Sequence, residues 1–489
     1  MKNILRITIV FALLLTIGCS KEFLDPVPQT SLSDLTVFDT KDRVVAQVNG
    51  MYDAMKDAQY LGGRFFVYND VRAENFIPKS SNGVTNYQTW NHTVISSTNE
   101  VQNCWTAIYN AINRINIFRE GLDAAWSSGK LDGKISQAEY DQFISEALTL
   151  RAVCYFHLLQ LYARPYNNSA GGNPGVPLRL IAEKSSANND LARSSVGEVY
   201  AQILEDLNEA EPMALLNYAS DLENTTRVHR NTIIALKTRV YLHMQNWASV
   251  VTESAKIVSA AAPFTAASGV AFAITPSYAT IWTNYTTKES IFSMPMTSTD
   301  QPGNQNSLPY YYFNTTSESY YLNTAAGTAY AAMDAADVRK TSLILASGKY
   351  FLSKWTDPVS HTNFAPVMRY AEVLLNRSEA MVRSGGTVTQ GAVDLLNVVR
   401  TRSFPGGTYT LGSFATADDF YTAILNERSI EFLGEGIRNM DLMRLNLTIP
   451  GKDGGSMGNI AAIAPSSPSY IWPIPANEMT FNSLMTPNE

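Results

Sequence analysis

Apolar residues recur at spacings of three and four over most of this chain, the period of an amphipathic helix. Val45, Val48, Tyr52 and Met55 form one such row, and Trp105, Ile108, Ile112, Ile115 and Phe118 form another. A long amphipathic helix is predicted over 138–162, stopped by Pro165 and the glycines of "ARPYNNSAGG". "SVGEVYAQILEDLNEAEPMALL", with Val199, Ile203 and Leu207 on one face, precedes "NTIIALKTRVYLHMQNWASVVTESAKIV". Later "VMRYAEVLLNRSEAMVRSG" and "GAVDLLNVVRTRS" flank Gly385-Gly386. Helix pairs at irregular intervals predict a mainly α fold of tetratricopeptide-like hairpins whose stacked faces share one core.

Between Ala262 and Phe364 the period is lost. This stretch is rich in Thr, Ser, Asn, Pro and aromatics, with Trp282 and Trp355 near its ends. Loops and short strands are expected there, and binding residues with them. Within it, "PYYYFNTTSESYYLN" (Pro309–Asn323) has Glu318 as its only charge. Tyr310, Tyr311 and Tyr312 are consecutive, so neither the alternation of a strand nor one face of a helix accommodates all three. At least one ring is expected to face water or a ligand.

The N-terminus departs from the helical pattern differently. Lys2 and Arg6 precede the apolar run "ITIVFALLLTI" and then Gly18-Cys19. Eleven residues are too few to span a bilayer but suit a secretory leader. Gly18-Cys19 resembles a bacterial lipobox, which implies a signal peptide over 1–18 and diacylation of Cys19. A polar, Pro-punctuated tether follows over 19–40. No other stretch is long and apolar enough to span, so acyl chains are the expected membrane anchor.

Composition adds exclusions. The chain is 45% hydrophobic and 17% charged, ordinary for a globular fold. Its net charge is −7, or −9 once Lys2 and Arg6 leave with the leader, and no cluster of basic residues suits nucleic acid. Cys104 and Cys154 are the other thiols, and two cysteines make no disulfide framework and no zinc site.

Several motifs invite an enzyme reading and fail. "GGSMG" (Gly454–Gly458) fits G-x-S-x-G, but no histidine follows the serine, since His361 is the last. "LDGKISQAEY" imitates half a calcium loop but places Lys130 at its third position, so a helix start with Glu139 in its first turn is the better reading. Glu427, Glu431 and Glu435 share a helix face, interleaved with Arg428, Arg438 and Arg444, and read as charge-paired structure rather than a catalytic pair. No P-loop, zincin motif or dinucleotide fingerprint occurs. No cofactor or metal is expected.

The ordered pieces resemble the SusD/RagB family of Bacteroidetes outer-membrane lipoproteins. The resemblance runs from Cys19 and "KEFLD" through "LRAVCYFHLLQLYARPY", "GVPL", "ALKTRVYLHMQNW", "RYAEVLLNRSEA" and "LNVVRTR" to "ERSIEFLGEGIRNMDLMR" and "WPIPANEMTFN". It implies a domain over 41–489, with about four tetratricopeptide-like helix pairs and a ligand face mainly from 262–364. It also implies a non-catalytic, cell-surface protein that delivers oligosaccharide to a SusC-like TonB-dependent β-barrel transporter in the outer membrane. Peptide or glycopeptide capture, and a surface scaffold without its own nutrient, are the alternatives. An exposed Tyr or Trp offers a flat apolar face to a sugar ring and a polar tip to its hydroxyls. The expected stacking residues are Trp90, Trp282, Tyr310, Tyr311, Tyr320, Tyr321 and Trp355, with Arg72 and Asn91 as hydroxyl partners. Trp90 and Arg72 are included because the family often places ligand residues in this N-terminal loop region.

Overall fold

The computed structural model describes residues 36–82, 86–185, 187, 189–314 and 319–488. The predicted leader, Cys19 and most of the tether lie outside them. Ten helices of eight residues or more occur among the described residues: α1 Lys41–Met55, α2 Arg64–Val71, α3 Asn99–Ser127, α4 Gln137–Tyr162, α5 Val196–Met213, α6 Arg230–His243, α7 Trp247–Ser254, α8 Tyr370–Gly385, α9 Gln390–Ser403 and α10 Ala417–Glu431. Local chemistry sets their starts. Ser136 with Glu139, Ser195 with Glu198 and Thr416 with Asp419 form capping boxes at α4, α5 and α10, each satisfying two otherwise orphaned N–H groups. Glu139 is thus a helix-start residue, as the failed calcium loop suggested.

The helices pack in chain order, α3 on α4, α4 on α5, α5 on α6, α6 on α7 and α8, and α8 on α9. This is the tetratricopeptide-like, mainly α scaffold expected from the sequence. α4 departs from the prediction. Every residue from Gln142 to Tyr162 is buried, so this helix is not amphipathic but enclosed. Its polar groups are matched internally instead: Arg151 forms a double contact with Asp206 at 2.7 and 2.8 Å, and Glu146 receives Arg227 and the Tyr52 hydroxyl.

Short antiparallel pairs decorate the scaffold: β1 (Phe76–Pro78) with β3 (Tyr320–Leu322), β2 (Ser290–Met294) with β6 (Ala365–Arg369), β4 (Ile344–Ala346) with β5 (Lys349–Phe351), and β7 (Lys452–Asp453) with β8 (Asn459–Ile460). The GGSMG stretch is the loop closing the β7–β8 hairpin.

The Glu427–Glu431–Glu435 row is charge-paired and buried, but most of its partners come from far along the chain. Glu431 receives Arg402 at 2.6 Å, Arg369 at 2.9 Å and Arg339 at 3.0 Å. Arg400 pairs with Glu427, Lys354 with Glu435, Arg369 and Arg402 with Glu289, and Arg339 with Asp337. Five carboxylates thus face five cations. The interleaved Arg428 and Arg444 share Asp441 instead, and Arg438 pairs with Glu74.

Candidate functional site

The 262–364 region folds over the α2 end of the scaffold, and its strand pairings decide which aromatics reach the surface. β3 pairs with β1 in the register Ile77↔Tyr321 and Pro78↔Tyr320. Neighbours on a strand point to opposite sides, so Tyr320 is fully buried while Tyr321 stays half-exposed.

The expectation that one of the consecutive tyrosines stands free is corrected. Tyr310, Tyr311 and Tyr312 form the end of a one-turn helix, Leu308–Tyr312, in which every residue is buried. So short a helix is enclosed from all sides by its neighbours, and its polar tips are satisfied internally. The Tyr312 hydroxyl donates to Asp70 at 2.8 Å, and that of Tyr311 to the Gln305 carbonyl.

The tryptophans are corrected in the same way. Trp282 is 7% exposed, while Trp355 and Trp90 are sealed. They belong to an internal aromatic column: Trp282 meets Trp355 edge-on at 5.5 Å, Trp355 stacks on Tyr312 at 5.5 Å, and Tyr312 meets Phe76 at 4.9 Å. The Trp90 indole N–H donates to the Phe76 carbonyl at 2.7 Å. Gly454 lies so close that an added Cβ would sit 2.6 Å from the Trp90 ring, so the hairpin loop and this indole are fitted to one another. Arg72 is buried as well, donating to the carbonyls of Tyr470 and Ser469. These side chains are brought together, but as the support of the face rather than as its surface. Asn91 remains half-exposed, its side-chain oxygen accepting from the N–H and hydroxyl of Thr93.

The surface itself is built around Tyr321 and the β4–β5 hairpin. Ser347 and Gly348 both have positive φ (51° and 73°), the two-residue turn that suits a hairpin's twist. The Lys349 ammonium lies 4.2 Å from the centroid of the Tyr321 ring, a cation–π contact. Tyr350 points to the other side of the strand, where its ring meets Tyr330 at 4.8 Å and Lys340 caps Tyr330 at 4.6 Å. Tyr321, Tyr330, Tyr350, Lys340 and Lys349 are all half-exposed. Tyr330, Tyr350 and the lysines were missed in the sequence, although Ser347-Gly348 between two short apolar runs is a legible hairpin signal. Two open concavities of about 410 and 430 Å³ lie elsewhere, beside Asp57 and Asp300 and beside Phe38 and Ile117. Among the described residues no group of three or more His, Cys, Asp or Glu is arranged to hold a metal.

Comparison with known proteins gives a consistent picture. Residues 22–242 match a family profile described as "Starch-binding associating with outer membrane", and residues 277–489 match the profile of the SusD family. A SusD superfamily protein from Bacteroides fragilis is 30% identical, with a TM-score of 0.81, covering 92% of this chain and all of its own. SusD-like protein P38 of Formosa agariphila is 25% identical, and 97% of each chain is covered. A laminarin-binding SusD-like protein, 19% identical with a TM-score of 0.72, shares the fold.

Proposed function

This chain belongs to the SusD family, and on that premise we propose that it is a carbohydrate-binding lipoprotein of the outer membrane. It captures an oligosaccharide at the cell surface and hands it to a SusC-like TonB-dependent β-barrel transporter. Proteins of this family bind without catalysing. The scaffold is held rigid by buried ion pairs, and it carries a loop face on which aromatic rings remain accessible.

The observation that carries the reading is the half-exposed Tyr321 with its neighbours on the β4–β5 hairpin. A tyrosine ring on a strand costs little ordering entropy, and its apolar face suits the C–H side of a pyranose. Lys349 and Asn91 supply polar contacts for hydroxyls. The profile's outer-membrane, starch-binding description and the laminarin-binding neighbour of the same fold support the reading. No helix of the described residues is long and apolar enough to cross a membrane, which accords with an acyl anchor on Cys19.

The test is a binding screen of the soluble chain, from Lys21 onward, against glycan and peptide arrays. Saccharide binding that Tyr321→Ala weakens supports the proposal. Binding confined to extended peptides transfers the function to the peptide alternative.

A further inference from the structure

Beneath the loop face, basic side chains meet without matching acids. Arg72, directly after α2, is 1% exposed and Lys452, on β7, is 3% exposed. The Lys452 ammonium donates to the carbonyls of Val71 at 2.6 Å and Arg72 at 3.1 Å, and lies 5.2 Å from the Trp90 ring centroid. The Arg72 Nε–H has no partner, and the His92 ring lies against the Arg72 backbone, with neither nitrogen in a well-formed hydrogen bond. Burial first, and then the charges of Lys452 and Arg72, hold the His92 ring neutral, so it belongs to the same cluster. Burial first, and then the Arg72 charge, hold the Lys452 ammonium well below its ordinary range; the acid that acts against this is Glu74, and Glu74 is engaged by Arg438 at 2.7 and 2.8 Å. Lys452 and Arg438 therefore share one carboxylate, and Arg72 is bonded only to carbonyls.

That imbalance contrasts with the ion-pair network around Glu431. Around Glu431, five cations, all but Arg400 with buried side chains, face five carboxylates, and Arg151 and Arg444 are each matched by acids. Unpaired buried charge is strongly destabilising, and buried N–H groups are normally satisfied. We propose that Arg72, Lys452 and His92 form a binding site for a small anion, either a free inorganic ion or the acid group of a charged sugar. Arg72 Nε and a His92 N–H would donate to it, and the Lys452 charge would balance it. Trp90 forms an apolar wall, and half-exposed Asn91 lies between Trp90 and His92 at the edge of the loop face. The free-ion source is independent of the carbohydrate reading, and the acid-sugar source rests on it.

Two measurements on the purified chain test the site. In crystals soaked in sodium bromide, an anomalous peak is expected within about 3.5 Å of Arg72 Nε. In solution at fixed ionic strength, with a bulky sulfonate as the background anion, a saturable rise in melting temperature of about 3 °C is expected at a hundredfold excess of ligand over Kd. Chloride producing it identifies a free ion, whereas glucuronate producing it, with chloride and glucose inert, identifies an acid sugar. Lys452→Met should abolish the rise, and Lys288→Met, at an exposed lysine, should keep it. If Lys452→Met does not fold, the parent's bromide peak and anion titration decide alone. The proposal is overturned if the parent shows neither peak nor saturable rise, or if a folded Lys452→Met retains the rise, because Lys452 is then accommodated as a neutral amine.

Discussion

Replacing Glu431 by Gln removes one charge from the centre of the buried network and almost no volume. The carboxylate accepts from Arg339, Arg369 and Arg402 at 2.6–3.0 Å and is fully buried. Burial alone would push its carboxyl up, but Arg402, Arg369 and Arg339 outweigh that and hold it well below the ordinary range. With five acids facing five cations, the substitution leaves one uncompensated positive charge, a loss of about 3–5 kcal/mol. Unfolding entropy of about 2 cal/mol/K per residue gives a chain of this length roughly 1 kcal/mol per degree, so the melting temperature should fall by about 3–5 °C at pH 7. The pH dependence has a definite sign. A carboxyl depressed in the folded state contributes stability above its unfolded value near 4.5, and that contribution is lost as pH falls toward the folded value. Parent and variant should therefore differ most at neutral pH and converge in acid. Calorimetric melts between pH 3 and 7 measure this. A variant melting within about 1 °C of the parent at pH 7, or a gap that widens in acid, would refute the view that this network is held together by matched charge.

Trp355→Ala empties a sealed position stacked on Tyr312 and should cost about 3–5 kcal/mol. Tyr321→Ala should leave the melting temperature nearly unchanged while weakening saccharide binding about ten- to hundredfold, and the paired melts and titrations check both. Burial raises the carboxyl of Asp70 to about 7 against the hydrogen bonds of Tyr312 and Gly436. Because the folded value exceeds the unfolded one near 3.8, this group should make stability fall as pH rises from about 4 to 7, and Asp70→Asn should flatten that part of the profile in pH-dependent melts. Cys19→Ala should move the protein from the membrane fraction to the soluble one in cells lacking its transporter, and retention after correct export would remove the acyl anchor from the proposal.

The helical scaffold was legible because its information is local. Apolar rows at helical spacing and the helix start at Glu139 involve residues within a few turns of one another, and the loss of period over 262–364 is read along the chain in the same way. The aromatic face was legible only as a region. Tyr320 and Tyr321 are chemically identical neighbours, and the pairing of β3 with β1, more than 240 residues earlier in the chain, sends one inward and the other outward. Tyr310–Tyr312 could not be placed by periodicity, because a five-residue helix is buried by what surrounds it and not by its own pattern.

The sequence by itself marked out the long helices of the scaffold and carried the resemblance to the family. Tertiary structure decided exposure and partnership. Arg339, Arg369, Arg400 and Arg402 are unremarkable in the sequence, yet folding makes them the counter-charges of a glutamate row up to 92 residues away. Helix formation depends on neighbours along the chain, whereas burial and ion pairing depend on neighbours in space. That is why Trp90, Trp282 and Trp355, expected at the surface, became the interior column that supports it.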